Sequence, residues 1–200
     1  QRLGQRIYVD VDDHHRGLTP SNAAYYQTSP EVNKRSNWDN YDKVIMAADV
    51  LTVSTPFLYD IYSQRRDNVY LVRNGVNLRQ FNKRKHNKRK AVIGWAGSTN
   101  YRNNDLEQLR YWLPDFLEEH DLAFHHAGHN PEAPSFTEIT GVPERRVTTT
   151  PILPITTYAT GLAHFDIGLV PLSNGVFNRA KSNIKGLEYV AAGIPFVASD

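Results

Sequence analysis

Three charged residues near the end of the chain have the spacing of one helical face. Lys181, Lys185 and Glu188 stand at i, i+4 and i+7, and side chains at this spacing lie on the same side of an α-helix. Two lysines one turn apart repel each other, and cations at the start of a helix oppose its dipole, so a bound anion would relieve both effects. Glu188 would lie about 10 Å along the helix from Lys181, comparable to the distance from the diphosphate of a sugar nucleotide to its ribose hydroxyls.

The helix that would carry these residues is predicted between two short strands. Ser182 is a favourable N-cap residue and Gly193 a favourable stop, so the predicted helix spans 182–192. Apolar runs at 167–171 and 194–198 flank it and have the composition of buried parallel strands. The order strand, basic loop, helix and strand is typical of a nucleotide-sugar site.

The stretch from Asp166 to Asp200 resembles the C-terminal half of GT-B glycosyltransferases, in the group 1 enzymes that use a sugar nucleotide and retain configuration. There the second Glu of an E-x7-E motif binds the ribose, and the resemblance implies this role for Glu188. It also implies that Arg179 and Lys181 hold the diphosphate and act in catalysis, by stabilising the charge that develops on the leaving group. The first Glu of the motif would fall at position 180, where this chain has Ala180.

A glycine loop earlier in the chain is a second candidate for phosphate binding. Gly97 and Ser98 follow the predicted strand 91–95 and precede a predicted helix, so their backbone N–H groups could face a phosphate. Glycines after a strand are more often simple turn residues, and the loop matches neither a dinucleotide fingerprint nor a P-loop. The resemblance implies that this loop, with the sequence IGWAGS, faces the donor diphosphate.

The same cations have a simpler interpretation. Arg179, Lys181 and Lys185 could form a solvated basic face, and Glu188 could merely pair with Lys185 at i+3. Phosphate binding is favoured because an aromatic residue, Phe177, interleaves with the cations near the start of a helix.

Acidic and histidine residues follow the first predicted strand. Open α/β sheets bind ligands at the carboxyl ends of their strands, and Asp13 and His14 stand at that position. The resemblance implies that this loop faces the acceptor, so Asp13 or His14 could orient an acceptor hydroxyl, while capping of the next turn is an equal alternative. The acidic loop could also bind a divalent metal ion, but the resemblance implies that none is needed. His125 and His126 are not expected to share a metal ion, because they would point to opposite faces of a strand.

Strands and helices alternate along the chain, which predicts an α/β fold with parallel sheets flanked by helices. The resemblance makes these two Rossmann-like domains of a GT-B fold, incomplete at both termini: an acceptor-side domain at 1–80, a basic linker at 81–90 and a donor domain at 91–200. The predicted strands span 6–11, 50–54, 69–72, 91–95, 122–127, 146–149, 167–171 and 194–198. The predicted helices span about 33–48, 56–64, 103–119, 155–165 and 182–192.

Composition excludes several classes of protein. The 200 residues carry a net charge of +2, which gives no general attraction to nucleic acid or membrane. The absence of cysteine excludes disulfides, cysteine-ligated zinc and thiol catalysis, and it is compatible with the cytoplasm, the expected location. No apolar run reaches about 18 residues, so no integral membrane segment is expected. Residues 83–90 are strongly basic, but no aromatic residue interleaves with them, so a flexible hinge is favoured over a nucleic-acid patch.

The predicted function is transfer of a hexose from a nucleoside diphosphate sugar to a hydroxyl group of a glycan, protein or small molecule, with retention of configuration. The resemblance implies that no cofactor or metal ion is required. Two alternatives stay open: a GT-B epimerase acting on a sugar nucleotide, and a degenerate GT-B module that binds without catalysis, which Ala180 favours. The predicted donor-binding residues are Gly97, Ser98, Arg179, Lys181, Lys185 and Glu188.

Overall fold

The chain folds as two compact units, each built around its own parallel sheet. A computed structural model describes residues 4–35, 37–81, 90–101 and 103–199. The first unit comprises 1–74 together with 174–183, and the second comprises 75–173 together with 184–200. The basic part of the predicted linker, at 82–89, lies outside the described residues.

The described part of the first unit before residue 74 contains three strands and three α-helices. Its strands are β1 (Tyr8–Val11), β2 (Val50–Val53) and β3 (Val69–Leu71), which pair in parallel in the order β1-β2-β3. Its helices are α1 (Ala23–Thr28), α2 (Asn37–Ala47) and α3 (Pro56–Ser63). Parallel strands need a crossover connection, and the predicted alternation of strands and helices supplies it.

The core of the first unit is organised around β2. Leu51 and Val53 are fully buried, because alternate residues of a strand point to opposite faces and these two share one face. They pack with residues of α3 in an apolar cluster that also contains Ala180. α3 begins where it was predicted to begin, with Thr55 as N-cap and Pro56 in its first turn.

The second unit contains five parallel strands in the order β6-β5-β4-β7-β8. The strands are β4 (Val92–Ala96), β5 (Ala123–His129), β6 (Val147–Pro151), β7 (Ile167–Val170) and β8 (Phe196–Ala198). The helices in this part of the chain are α4 (Asn103–Glu107), α5 (Leu113–Glu119), α6 (Phe136–Thr140), α7 (Tyr158–Leu162), α8 (Val176–Arg179) and α9 (Ile184–Ala191), of which α8 belongs to the first unit. Each predicted strand is confirmed to within two residues at either end.

β4 is the central strand of the second unit and separates two apolar layers. Ile93 and Trp95 point to the layer formed with α4, α5 and α6, whereas Gly94 and Ala96 point to the layer formed with α7 and α9. Position 94 must be glycine because the ring of Phe165 occupies the space that a Cβ would need. A strand buried on both faces is a continuous apolar run in the sequence, which is why it was predictable.

One long predicted helix is interrupted in the structure. The predicted helix 103–119 divides into α4, a 3-10 turn at Gln108–Tyr111, and α5. Pro114 stands in the first turn of α5, where its missing N–H is tolerated, whereas inside a helix its ring would clash with the preceding turn. The pattern of apolar positions predicts one continuous helix because it takes no account of Pro114.

The predicted helix 182–192 begins two residues later than expected, at Ile184. Ser182 lies two residues before this start and is therefore not at the N-cap position. Its hydroxyl accepts a hydrogen bond from Asn74 Nδ2 at 2.8 Å. This contact holds the segment before α9 within the first unit.

The observed fold is α/β, with parallel sheets flanked by helices, as predicted. In the part of the chain that the structure describes, none of the helices is long and apolar enough to cross a membrane.

Candidate functional site

Glu188 lies in a small polar cluster with Tyr158 and Lys185, which we refer to as the Glu188 cluster. The Tyr158 hydroxyl donates a hydrogen bond to Glu188 Oε2 at 2.9 Å. Lys185 Nζ lies 3.5 Å from the Tyr158 hydroxyl and 3.9 Å from the same Oε2 atom. The other carboxylate oxygen, Oε1, takes part in neither contact. All three residues belong to the second unit.

The residue after Glu188 fixes the rotation of α9. Tyr189 is fully buried, and its hydroxyl makes hydrogen bonds of 3.3 Å with the backbone of both β4 and β7. Gly168 on β7 makes room for this ring, since a Cβ on Gly168 would come within 2.6 Å of it. With Tyr189 held against the sheet, the neighbouring Glu188 reaches Tyr158 at the start of α7.

Tyr158 is a hydrogen-bond donor in the Glu188 cluster. Desolvation raises the pKa of the Tyr158 hydroxyl far above its ordinary value, and the Glu188 carboxylate raises it further. The hydroxyl is protonated and donates a hydrogen bond to the carboxylate. The side chains of Lys185 and Glu188 are 25% and 15% exposed, so their ion pair is partly shielded from solvent. The cluster thus holds one carboxylate in a defined orientation.

The Gly97 loop lies at the carboxyl end of β4. The Gly97 N–H donates to the Ala127 carbonyl at 2.8 Å, and the Gly97 carbonyl accepts a hydrogen bond from His126 Nε2 at 2.9 Å. Gly97 has a φ of 154°, and a Cβ on Gly128 of β5 would come within 2.8 Å of the Gly97 carbonyl oxygen. The backbones at Gly97 and Gly128 lie so close together that a side chain at position 128 would clash with the Gly97 carbonyl. The Gly97 N–H already donates to the Ala127 carbonyl. At a ligand, Gly97 would therefore act by lacking a side chain, so that the ligand could come close to the backbone.

Hydrogen bonds fix the turns around this loop. The Ser98 hydroxyl accepts a hydrogen bond from the Asn100 N–H at 3.4 Å. The buried Asp105 of α4 accepts hydrogen bonds from the Ser173 N–H at 2.8 Å and from the Ser173 hydroxyl at 2.9 Å. Asp105 thereby ties the helix after β4 to the loop after β7.

Arg179 and Lys181 belong to the first unit and lie over aromatic rings. The Arg179 guanidinium carbon is 4.9 Å from the centroid of Phe57, and Lys181 Nζ is 4.6 Å from that of Phe177. Such contacts leave the positive charges intact. The prediction that Lys181 shares one helical face with Lys185 and Glu188 is wrong, because Lys181 precedes the first residue of α9.

Ala180 faces the core of the first unit. Its side chain is fully buried in the apolar cluster with Leu51, and its carbonyl accepts a hydrogen bond from Thr55 Oγ1 at 3.0 Å. The backbone of Phe177 also packs closely on the first unit, since a Cβ on Gly17 would come within 2.7 Å of the Phe177 nitrogen. A side chain at position 180 therefore points into an apolar core, which gives the departure from E-x7-E a structural reason.

The predicted acceptor-side residues follow β1 in the first unit. The His14 ring meets Phe57 edge-on with centroids 6.5 Å apart, and burial is the main cause that lowers the pKa of His14. Asp13 precedes His14 in the same loop, and the neighbouring Asp12 accepts a hydrogen bond from Asn74 Nδ2 at 2.8 Å. Asn74 thus links this loop to the segment that carries Ser182.

His125 and His126 have separate surroundings, as the alternation of a strand predicts. The ring nitrogens of His125 form hydrogen bonds with the hydroxyls of Thr148 and Thr150 at 2.8 and 2.7 Å, whereas His126 binds the Gly97 carbonyl. Burial lowers the pKa of both histidines, that of His125 to about 4. Among the residues that the structure describes, no group of three or more His, Asp or Glu side chains could hold a metal ion.

Sequence reasoning missed Tyr158, although one signal pointed to it. Tyr158 lies 30 residues from Glu188, too far for any local spacing rule to connect them. α7 precedes β7 and α9 follows it, and right-handed crossovers that run in one direction along a sheet place both helices on the same face. That rule brings the two helices together, but it does not say which residues meet.

No protein-family model matches the chain, and no curated protein matches its sequence. Solved structures match its fold. TarM superposes with a TM-score of 0.66 at 16% identity, over 98% of this chain and 36% of TarM. Sucrose-phosphate synthase from Thermosynechococcus elongatus superposes with a TM-score of 0.63 at 15% identity, over 88% of this chain and 47% of that protein. The pneumococcal O-GlcNAc transferase GtfA, solved with UDP and GlcNAc, gives a TM-score of 0.59 at 14% identity, over 98% of this chain and 37% of GtfA.

These similarities define the class of fold: the chain has the GT-B fold of glycosyltransferases. The predicted resemblance is therefore confirmed at the level of the fold. The chain spans less than half the length of each of these three proteins.

Proposed function

We propose that the chain is part of a glycosyltransferase that moves a hexose from a nucleoside diphosphate sugar to a hydroxyl acceptor with retention of configuration. One observation carries the proposal: the Gly97 loop and the chain segment that leads to the Glu188 cluster leave the same edge of the second sheet. β4 and β7 are adjacent and parallel, with Gly94 opposite Gly168, so the segments that follow them start from one carboxyl edge. Open α/β sheets bind their ligands at this edge.

Different groups are proposed to recognise different parts of the donor. Glu188 accepts hydrogen bonds from the ribose hydroxyls, and Lys185 contributes through its contacts with Glu188. Arg179 and Lys181 bind the diphosphate by charge, and the Gly97 loop lets the diphosphate approach the backbone. The proposed donor-binding residues are Gly97, Ser98, Arg179, Lys181, Lys185 and Glu188.

Arg179 and Lys181 are the proposed catalytic residues. The bond between the anomeric carbon and the diphosphate oxygen breaks, and its electron pair leaves with the diphosphate. The acceptor oxygen bonds to the same face of the sugar, and its proton passes to the departing oxygen. Negative charge grows on the diphosphate in this step, and cations placed beside it stabilise the transition state. The proposal includes no protein nucleophile, cofactor or metal ion.

Asp13 and His14 are proposed to orient the acceptor hydroxyl, since they follow β1 at the carboxyl edge of the first sheet. The lowered pKa of His14 keeps its imidazole neutral near pH 7, so one ring nitrogen can accept a hydrogen bond. In this proposal residues 1–80 form the acceptor-side domain and 91–200 the donor domain, joined by the linker 81–90. The compact units differ from these bounds, since 174–183 belongs to the first unit and 75–80 to the second. A cytoplasmic location is part of the proposal and is compatible with the absence of cysteine.

Calorimetry with UDP, GDP and ADP tests donor binding. The structure of GtfA with UDP makes UDP the first probe. Glu188→Gln should weaken binding of the preferred nucleotide about tenfold, because an amide replaces one charged acceptor, and it should leave binding of inorganic diphosphate unchanged. Glu119→Gln, at an exposed position of α5, is the matched control. Failure of all three nucleotides to bind, or equal binding by wild type and Glu188→Gln, would refute the proposed donor site.

A second candidate is a module that binds a sugar nucleotide without transferring the sugar. Burial of Ala180 favours it, because position 180 offers no carboxylate to the sugar. Mass spectrometry of UDP-hexose incubated with glycan, protein and small-molecule acceptors separates the candidates. A glycosylated acceptor supports the transferase, an epimerised sugar nucleotide supports an epimerase, and an unchanged donor that nevertheless binds supports the module.

A further inference from the structure

We infer that Tyr158 is a positioning residue for donor binding that acts through Glu188. This inference rests on the proposed function, because it gives a task to the residue that would hold the ribose. The Tyr158 hydroxyl donates to Glu188 Oε2 at 2.9 Å, and Lys185 Nζ approaches the same oxygen at 3.9 Å. Both contacts act on Oε2, and in this inference Oε1 is the atom that accepts from the ligand.

Recognition of neighbouring hydroxyls requires a carboxylate in a fixed orientation. A Glu side chain has several rotatable bonds, and immobilising it during binding costs conformational entropy. The hydrogen bond from Tyr158 restricts those bonds before a ligand arrives. The oxygen atom Oε1 can then accept hydrogen bonds from a ligand with adjacent hydroxyl groups, such as a ribose.

The ring of Tyr158 contributes to packing, whereas its hydroxyl contributes a hydrogen bond. The ring packs against the apolar layer that contains Phe165 and Tyr189, and a phenylalanine would fill the same space. Burying a hydroxyl in such a layer costs free energy unless it finds a partner, and Glu188 is that partner. The arrangement therefore favours a role for the hydroxyl at Glu188.

The test compares two ligands that differ only in the ribose hydroxyls. Calorimetry should show that Tyr158→Phe weakens binding of UDP about tenfold, the size of one hydrogen bond, and leaves 2′,3′-dideoxy-UDP unchanged. In a Glu188→Gln background, Tyr158→Phe should have no further effect on UDP. Tyr111→Phe, at a position 85% exposed, is the control and should match wild type.

A purely structural role predicts a different pattern. Misfolding lowers the fraction of molecules that bind, which calorimetric stoichiometry reports separately from the dissociation constant. Equal weakening of UDP and dideoxy-UDP by Tyr158→Phe, or no weakening of either, would overturn the inference while leaving the donor site in place. Absence of UDP, GDP and ADP binding to wild type would overturn the proposed function and this inference with it.

Discussion

The charged residues of the proposed donor site have different surroundings in the two units. In the first unit, Arg179 and Lys181 lie over the rings of Phe57 and Phe177 at 4.9 and 4.6 Å. In the second unit, Glu188 is tied to Tyr158 by a directional hydrogen bond and is only 15% exposed. Aromatic faces support a cation without fixing its direction, whereas a hydrogen bond fixes an acceptor.

The difference matches two kinds of recognition. A diphosphate carries charge on several oxygens, so cations can stabilise it from a range of positions. Hydroxyl groups are neutral and give a strong contact only when donor and acceptor are aligned. Under the proposed function, the first unit therefore contributes charge, and the second contributes geometry.

The largest expected effect is that of a carboxylate at position 180. Ala180→Glu should lower the free energy of unfolding by about 4 kcal/mol, because the side chain at this position is fully buried in an apolar cluster and a new charge there has no partner. Urea denaturation measures the loss. Val176→Glu is the matched control, since Val176 is exposed in the same segment and an acidic residue suits the start of α8.

The opposite outcome would change the comparison between the units. Ala180→Glu with wild-type stability and faster hexose transfer would show that position 180 can turn towards a ligand. The first unit would then contribute geometry as well as charge.

A smaller effect is expected from acid, which should weaken the second unit through His125. Its pKa is about 4 in the folded chain against an ordinary value of 6.5, so the unfolded chain binds more protons between these pH values. The stability that neutral His125 contributes is complete above about pH 6.5 and is lost as the pH falls towards 4, by about 1–2 kcal/mol.

Urea denaturation at a series of pH values checks this expectation. His125→Gln does not titrate in this range and should show a shallower loss of stability on acidification. His120→Gln, at an exposed position, should follow wild type. Identical pH profiles for wild type and His125→Gln would contradict the assignment to His125.

Local patterns were sufficient to predict the strands and the α/β class of the fold. Buried parallel strands such as β4 and β7 are short apolar runs, and Gly and Pro mark their ends, so each strand was visible in the sequence. The position of Glu188 on the helix after β7 was predicted for the same reason. These features depend on neighbours in the sequence.

Contacts across long separations were not predictable. Ser182 has the properties of an N-cap, but Asn74 engages its hydroxyl across 108 residues and α9 begins later. Lys181 and Lys185, four residues apart, consequently belong to different units. A spacing rule assumes one continuous helix, and that assumption fails here because the segment before α9 packs on the first unit through Ala180 and Ser182.

The smallest expected effect separates the two lysines. Lys185 approaches Glu188 Oε2 at 3.9 Å and the Tyr158 hydroxyl at 3.5 Å, so its charge acts on the Glu188 cluster. Lys185→Gln should weaken UDP binding about threefold, because a partly exposed ion pair contributes well under 1 kcal/mol, and it should leave inorganic diphosphate unaffected. Lys181→Ala is the matched comparison and should weaken binding of both ligands at least about tenfold, since it removes a charge proposed to face the diphosphate.

Calorimetry of each of the two variants with UDP and with inorganic diphosphate tests this expectation. If Lys185→Gln weakens inorganic diphosphate as much as Lys181→Ala does, both lysines bind phosphate directly, and the division between a unit that contributes charge and a unit that contributes geometry is wrong.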